Sequence, residues 1–139
     1  MGSESVKVLV QHDPIMEIKQ HDYDADQLPK PTGWRILVEP IDIEEKTAGG
    51  IYLANESKKA KEYNRYVGKV IAMGPDCYQH AKFPSGPWCA LGDWILFNQY
   101  TGMGANIRDT KGEMVHLRFI NDDAVLATAT DPRGFEISV

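Results

Sequence analysis

Five short apolar-rich runs, none longer than eight residues, leave this chain few folds to choose from. Arg35-Ile36-Leu37-Val38-Glu39 stops at Pro40, which cannot donate to a central ladder. Tyr66 to Met73 ends at Gly74-Pro75, and Trp94-Ile95-Leu96-Phe97 follows Gly92-Asp93. Met114 to Ile120 alternates after a Lys111-Gly112 turn, and Ala124 to Thr128 follows Asn121-Asp122-Asp123. Runs of this length with glycine-bearing connections predict an all-β sandwich or barrel. The one helix-favouring stretch, Glu56 to Glu62, is too short and too polar for a core helix. With 139 residues, 42% of them hydrophobic, there is material for about one domain with one modest core.

Charge and residue types narrow the function. Fifteen Lys and Arg against twenty Asp and Glu give a net charge of −5, without the basic footprint of a nucleic-acid binder. No run approaches the ~18 apolar residues of a membrane span, and no signal peptide is readable. The expectation is a soluble, cytoplasmic chain. Cys77 and Cys89 are too few for a disulfide framework and read as small, partly buried apolar side chains. Cys77-x-x-His80 with Cys89 offers three candidate metal ligands and no second pair, so no metal is expected. His12, His21 and His116 are scattered. Gly102-Met103-Gly104 follows a strand but opens no helix, so it is not a phosphate loop. The acid pairs Glu44-Glu45 and Asp122-Asp123 read as solvated turn carboxylates. Nothing argues for catalysis, and neither enzyme activity nor a cofactor is expected.

Two segments stand apart from the strand pattern. Residues 1–30 carry Val6-Lys7-Val8-Leu9-Val10, then a charge-rich stretch with Asp22, Asp24 and Asp26. This reads as an extension, either a solvated flexible tail or a strand-bearing arm that docks, attached to a domain starting near Pro31. Residues 43–63 lie between two strands and are too long for a hairpin turn. Their charged flanks surround Gly49-Gly50 and then Ile51-Tyr52-Leu53. Such a loop cannot bury enough apolar area to order itself, so it is expected to be mobile when free. The alternative is that Ile51-Tyr52-Leu53 folds back into the core as a strand.

These motifs, in this order, resemble the GroES-type co-chaperonins, the lids of GroEL-type chaperonins. Pro31 to Pro40 is similar to the family's opening strand and Glu45 to Leu53 to its mobile loop. Gly68 to Gly74, Leu91 to Phe97 with Tyr100, and Asp122 to Ala127 are similar to its later strands. The resemblance implies a small irregular β-barrel over 31–129, with a mobile loop at 43–63 and a roof hairpin at 75–90. It also implies a heptameric ring, no enzymatic activity, and nucleotide bound by the chaperonin rather than by this chain. Ile51, Tyr52 and Leu53 fall on the chaperonin-binding tripeptide, Gly49 and Gly50 act as the loop's hinge, and unfolded client protein is the second partner.

The chain also departs from the family pattern. Residues 1–30 and 130–139 are additions, and the roof segment carries the bulky rings of Tyr78, Phe83 and Trp88. A lid with added termini would suit a virus-encoded version working in a host cytoplasm on a special client such as a capsid protein. The zinc-dependent alcohol dehydrogenases have a related barrel but need a nucleotide domain and a zinc site that this chain lacks. The remaining alternative is a structural or adaptor barrel of a viral or cellular assembly that binds no chaperonin.

Overall fold

The computed structural model describes residues 15–46 and 66–133, with only the backbone described at 15–17 and 43–46. Val6 to Val10 and Glu56 to Glu62 lie outside the described residues. The strands are β1 (Ile15–Ile18), β2 (Arg35–Pro40), β3 (Ile43–Lys46), β4 (Val67–Met73), β5 (Trp94–Phe97), β6 (Met103–Arg108), β7 (Met114–Asn121) and β8 (Val125–Ala129). β2, β4, β5, β7 and β8 are the five expected runs, displaced at their ends by a residue or so. They join β6 in one antiparallel sheet ordered β6-β7-β2-β4-β5-β8, the all-β barrel-type architecture expected. β6 follows from no sequence pattern. It is an edge strand with no buried residue, held by its ladder from Met103↔Phe119 to Arg108↔Met114. An edge strand of this kind shows no apolar period to read.

β2 lies between β4 and β7, and four consecutive residues, Ile36 to Glu39, are buried. Alternation sends Ile36 and Val38 into the main core with Val70, Ile95, Phe97, Ile120 and Val125. Leu37 faces the other way, into a second cluster with Val115 and Leu117. The register between β2 and β4 slips between Leu37↔Ala72 and Val38↔Val70, which leaves Ile71 as the extra residue of a bulge. Both faces of the centre of the sheet are therefore covered. Tyr23 and Leu28, from the N-terminal extension, supply part of the second cover.

β1 and β3 form a separate antiparallel ribbon, Ile15↔Lys46 through Ile18↔Ile43. Glu44-Glu45 belongs to this ribbon rather than to a turn. The extension carries a strand at 15–18, and its residues 18–30 lie against the domain. Its contacts with the domain run through Lys19, His21, Tyr23, Gln27 and the Asp22 main chain.

Gly68 marks the tightest crossing of β2 and β4. A Cβ there would lie 2.3 Å from Val38 Cγ1 and 2.9 Å from the Glu39 carbonyl oxygen. A Cβ at Gly74 would lie as close, 2.3 Å, to the Gly33 carbonyl oxygen. The Gly68→Ala variant is expected to lose about 1–3 kcal/mol by overpacking. Urea unfolding should show a lower midpoint at unchanged slope; an unaltered midpoint would mean that the two strands are farther apart than this.

Candidate functional site

The segment 43–63 leaves the sheet through Ile41-Asp42 and returns at Tyr66-Val67. Ile41 is buried and its N–H donates to the Val67 carbonyl at 3.0 Å. These two side chains form a small cluster, with Ile18, Tyr66, Trp94 and Leu96 packed against it. The outgoing and returning chain are thus tied at one apolar point, and the outgoing strand β3 is clasped by β1. Gly49, Gly50, Ile51, Tyr52 and Leu53 lie outside the described residues, as do both readings of that tripeptide.

The extension is anchored to this root by polar contacts. The Lys19 N–H donates to the Asp42 carbonyl at 2.7 Å, and the Thr110 N–H donates to the Asp22 carbonyl at 2.9 Å. Between them, His21 places Nδ1 2.8 Å from Asp109 Oδ2 and Nε2 3.0 Å from Asp42 Oδ2. The His21 side chain is only 3% exposed and that of Asp109 2%. Burial opposes the charged imidazole, but the hydrogen bonds to Asp109 and Asp42 and the charges of Glu39 and Asp42 outweigh it, leaving the His21 pKa raised. The His21 bond in turn lowers the Asp109 pKa, helped by backbone N–H groups of Glu113 and Lys111. Tyr23 donates its hydroxyl to Glu39 Oε1 at 2.7 Å, and Gln27 Nε2 donates to the Arg108 carbonyl at 3.0 Å. Burial raises the Glu39 pKa, while Tyr23, His21 and Lys69 pull it back.

His21, Asp109 and Glu113 bring ligand-type atoms within 4.8 Å of one another. Both His21 nitrogens already face carboxylates, however, and Glu113 pairs with Lys19, so this is an ion-pair network. It escaped the sequence reading because His21 and Asp109 are 88 residues apart, which no local motif encodes. Cys77, Cys89 and His80 form no such cluster: both cysteines are free and buried, and His80 is exposed. The Cys77 thiol donates to the Arg35 carbonyl at 3.3 Å, and burial raises the pKa of both thiols.

Residues 75–90, expected as a hairpin, contain turns and no strand. Tyr78 and Phe83 are each 5% exposed and belong to the main core, while Trp88 remains 45% exposed. Their rings stack edge to face, Tyr78 on Phe83 and Phe83 on Trp88, both with centroids 4.9 Å apart. Tyr78 takes a left-handed φ of 61°. Asp122 holds it there, accepting the Tyr78 N–H on Oδ2 at 2.9 Å and the Tyr78 hydroxyl on its carbonyl at 2.8 Å. Asp122 is therefore a buried structural group, not the solvated turn carboxylate expected. Of the bulky rings that set this segment apart, Tyr78 and Phe83 fold inward onto the sheet.

With this arrangement in view, residues 29–129 match the protein family described as "Chaperonin 10 Kd subunit". The co-chaperonin GroES of Lawsonia intracellularis is 31% identical over 105 residues, 76% of this chain and 95% of that protein. The co-chaperonin GroES of Lacticaseibacillus zeae is 38% identical over 77 residues, 52% of this chain and 74% of that protein. That of Pediococcus pentosaceus is 32% identical over 87 residues, 63% and 88% of the two chains. The chain belongs to the chaperonin 10 kDa subunit family, as a GroES-type co-chaperonin. Its β1 strand and the buried His21 precede the matched region.

Tyr78→Phe is expected to cost about 1–2 kcal/mol, the usual range for losing one buried hydrogen bond. A lowered melting temperature in thermal denaturation would show it. An unchanged melt would mean that the bond to the Asp122 carbonyl contributes nothing to holding the left-handed turn.

Proposed function

We propose that this protein caps a GroEL-type chaperonin as a homo-oligomeric ring, a heptamer, through Ile51, Tyr52 and Leu53, and encloses client protein without performing chemistry itself. It would act in the cytoplasm with its chaperonin; no helix among the described residues is long and apolar enough to cross a membrane. The observation that carries this reading is the family match over 29–129, which spans both roots of the loop and the glycine-tethered tripeptide between them.

The energetics suit a reversible lid. Burying an Ile or Leu side chain is worth roughly 1.5–3 kcal/mol, so the tripeptide supplies ~5–8 kcal/mol gross. Ordering the loop costs about 1–2 kcal/mol per residue, which offsets most of that. One loop binds weakly. Several loops on one rigid ring raise the effective concentration once the first engages, giving avidity while each contact stays reversible. Gly49 and Gly50, without a Cβ, permit a tight turn when the loop is bound. Of the rings at 75–90, Trp88 is the one left exposed for a contact at the roof of the enclosed chamber.

The test is ATP-dependent co-elution with a GroEL-type chaperonin, together with native mass. Seven copies of 15.6 kDa give roughly 109 kDa for the ring. Ile51→Ser and Leu53→Ser are each expected to abolish co-elution and leave the ring mass unchanged. Normal capping by either variant would refute the tripeptide assignment, and a ring that never engages a chaperonin would make the chain an adaptor barrel.

A further inference from the structure

We propose that His21 is a positioning residue for the chaperonin-binding loop: its imidazolium, clamped between Asp109 and Asp42, pins the N-terminal extension across the root of that loop and lets go when it loses its proton. This rests on the functional reading above. The residue lies outside the region matched to the family, so the device belongs to the extension that this chain adds.

Three separate parts of the chain meet at the ring. His21 comes from the extension, Asp42 immediately precedes β3, and Asp109 heads the turn between β6 and β7. Ionised carboxylates only accept, and a neutral imidazole has a single N–H to give. Two carboxylate partners at 2.8 and 3.0 Å therefore require both ring nitrogens protonated. Asp109 has nothing to spare for a rearrangement, since its Oδ1 accepts the N–H groups of Lys111 and Glu113, each at 2.9 Å. On loss of a proton, one nitrogen turns a lone pair toward a carboxylate oxygen. The partner that yields is Asp42, whose side chain is 39% exposed and can turn to water. The Asp42 main-chain carbonyl accepts the Lys19 N–H beside β1, so the residue that loses its side-chain anchor is the one from which β1 and β3 run as a ribbon, and that junction slackens.

The other charged groups around the ring favour its protonated form. Glu39 faces it from β2, with Tyr23 donating to Glu39 and Lys69 of β4 acting on Glu39; Lys19 pairs with Glu113 at the margin. The groups that act on the ring itself, Asp109, Asp42 and Glu39, all favour the imidazolium, while His116 and Arg118 of β7 line the same cavity. The folded-state pKa lies above the free value near 6.5, so the pin is fully present below that pH and is lost as pH rises through the raised value.

The test uses the full chain. Proton–nitrogen NMR spectra between about pH 5.5 and pH 9 should show the His21 ring and the Lys19, Asp42 and Thr110 amides titrating with one shared midpoint above about 6.5. Asp42→Asn, which keeps the histidine and changes a half-exposed site, should lower that midpoint. Affinity for a GroEL-type chaperonin with ATP is then measured for wild type and His21→Gln. Wild type should bind roughly tenfold tighter near pH 6, the loss per loop being multiplied across the ring, and the two should converge near pH 9. A His21 midpoint at or below the free value, or amides that ignore it, would overturn the pin. A wild-type to variant ratio that does not change with pH would overturn its role in positioning. Wild type that binds chaperonin at no pH would overturn the functional reading itself, a failure separable from the others because the NMR titration needs no partner.

Discussion

Burial of the central strand on both faces governs the rest of this structure. Ile36 to Glu39 are enclosed between β4 and β7, and a strand covered on one face only could not enclose four residues in succession. One face is filled by the barrel core and by the inward-folded segment 75–90, which contributes Cys77, Tyr78, Phe83 and Cys89. The other is closed by β7 side chains and by Tyr23 and Leu28 of the extension. The consequence is chemical as well as geometric. Glu39 is carried inside with the strand, and a buried carboxylate without a partner is costly. The Tyr23 hydroxyl meets it. Residues outside the family's matched region are thus integral to the barrel they appear to decorate.

The strands legible in the sequence are those whose side chains alternate between environments, or run apolar because both sides are covered. β2, β4, β5, β7 and β8 all have buried positions and punctuated ends. β6 and the β1–β3 ribbon were not legible, because their reason for existing is the partner strand. Backbone pairing between Met103–Arg108 and Met114–Phe119 leaves no imprint on residue type. The loop tripeptide was conspicuous as an apolar island among charges. The network at its root was invisible, since its charges look like solvent-seeking residues until the fold brings positions 21, 42 and 109 together. Asp122 misled for the same reason: a carboxylate after an asparagine reads as a turn, and only the left-handed Tyr78 opposite explains why it is inside.

A lid that docks through loops needs a stiff body and yielding tips. Rigidity here comes from the covered sheet, from close strand crossings at glycine, and from the aromatic stack of Tyr78, Phe83 and Trp88. In the proposed docking that stiffness matters, because tethered sites gain effective concentration only when the scaffold holds them at fixed separations. The clasp of β1 on β3 fixes the chain as far as Lys46, one root of the segment through which the proposed docking would occur.

That clasp raises the question of why it is rooted in ions rather than in more apolar surface. Buried ion pairs add little net stability over a hydrophobic substitute, since desolvation offsets their attraction. They do discriminate between arrangements. A four-residue ribbon is weakly specified by its own ladder, and a slip of one residue would turn every side chain to the opposite face. His21 removes that freedom: it satisfies Asp42 and Asp109 together only when Lys19 and Asp22 make their backbone bonds to those same two elements. One residue of slip would leave Asp109 buried without its counter-charge and Ile18 displaced from its place against Ile41 and Val67. The network therefore selects the pairing Ile18↔Ile43, and through it the point at which the loop departs from the barrel.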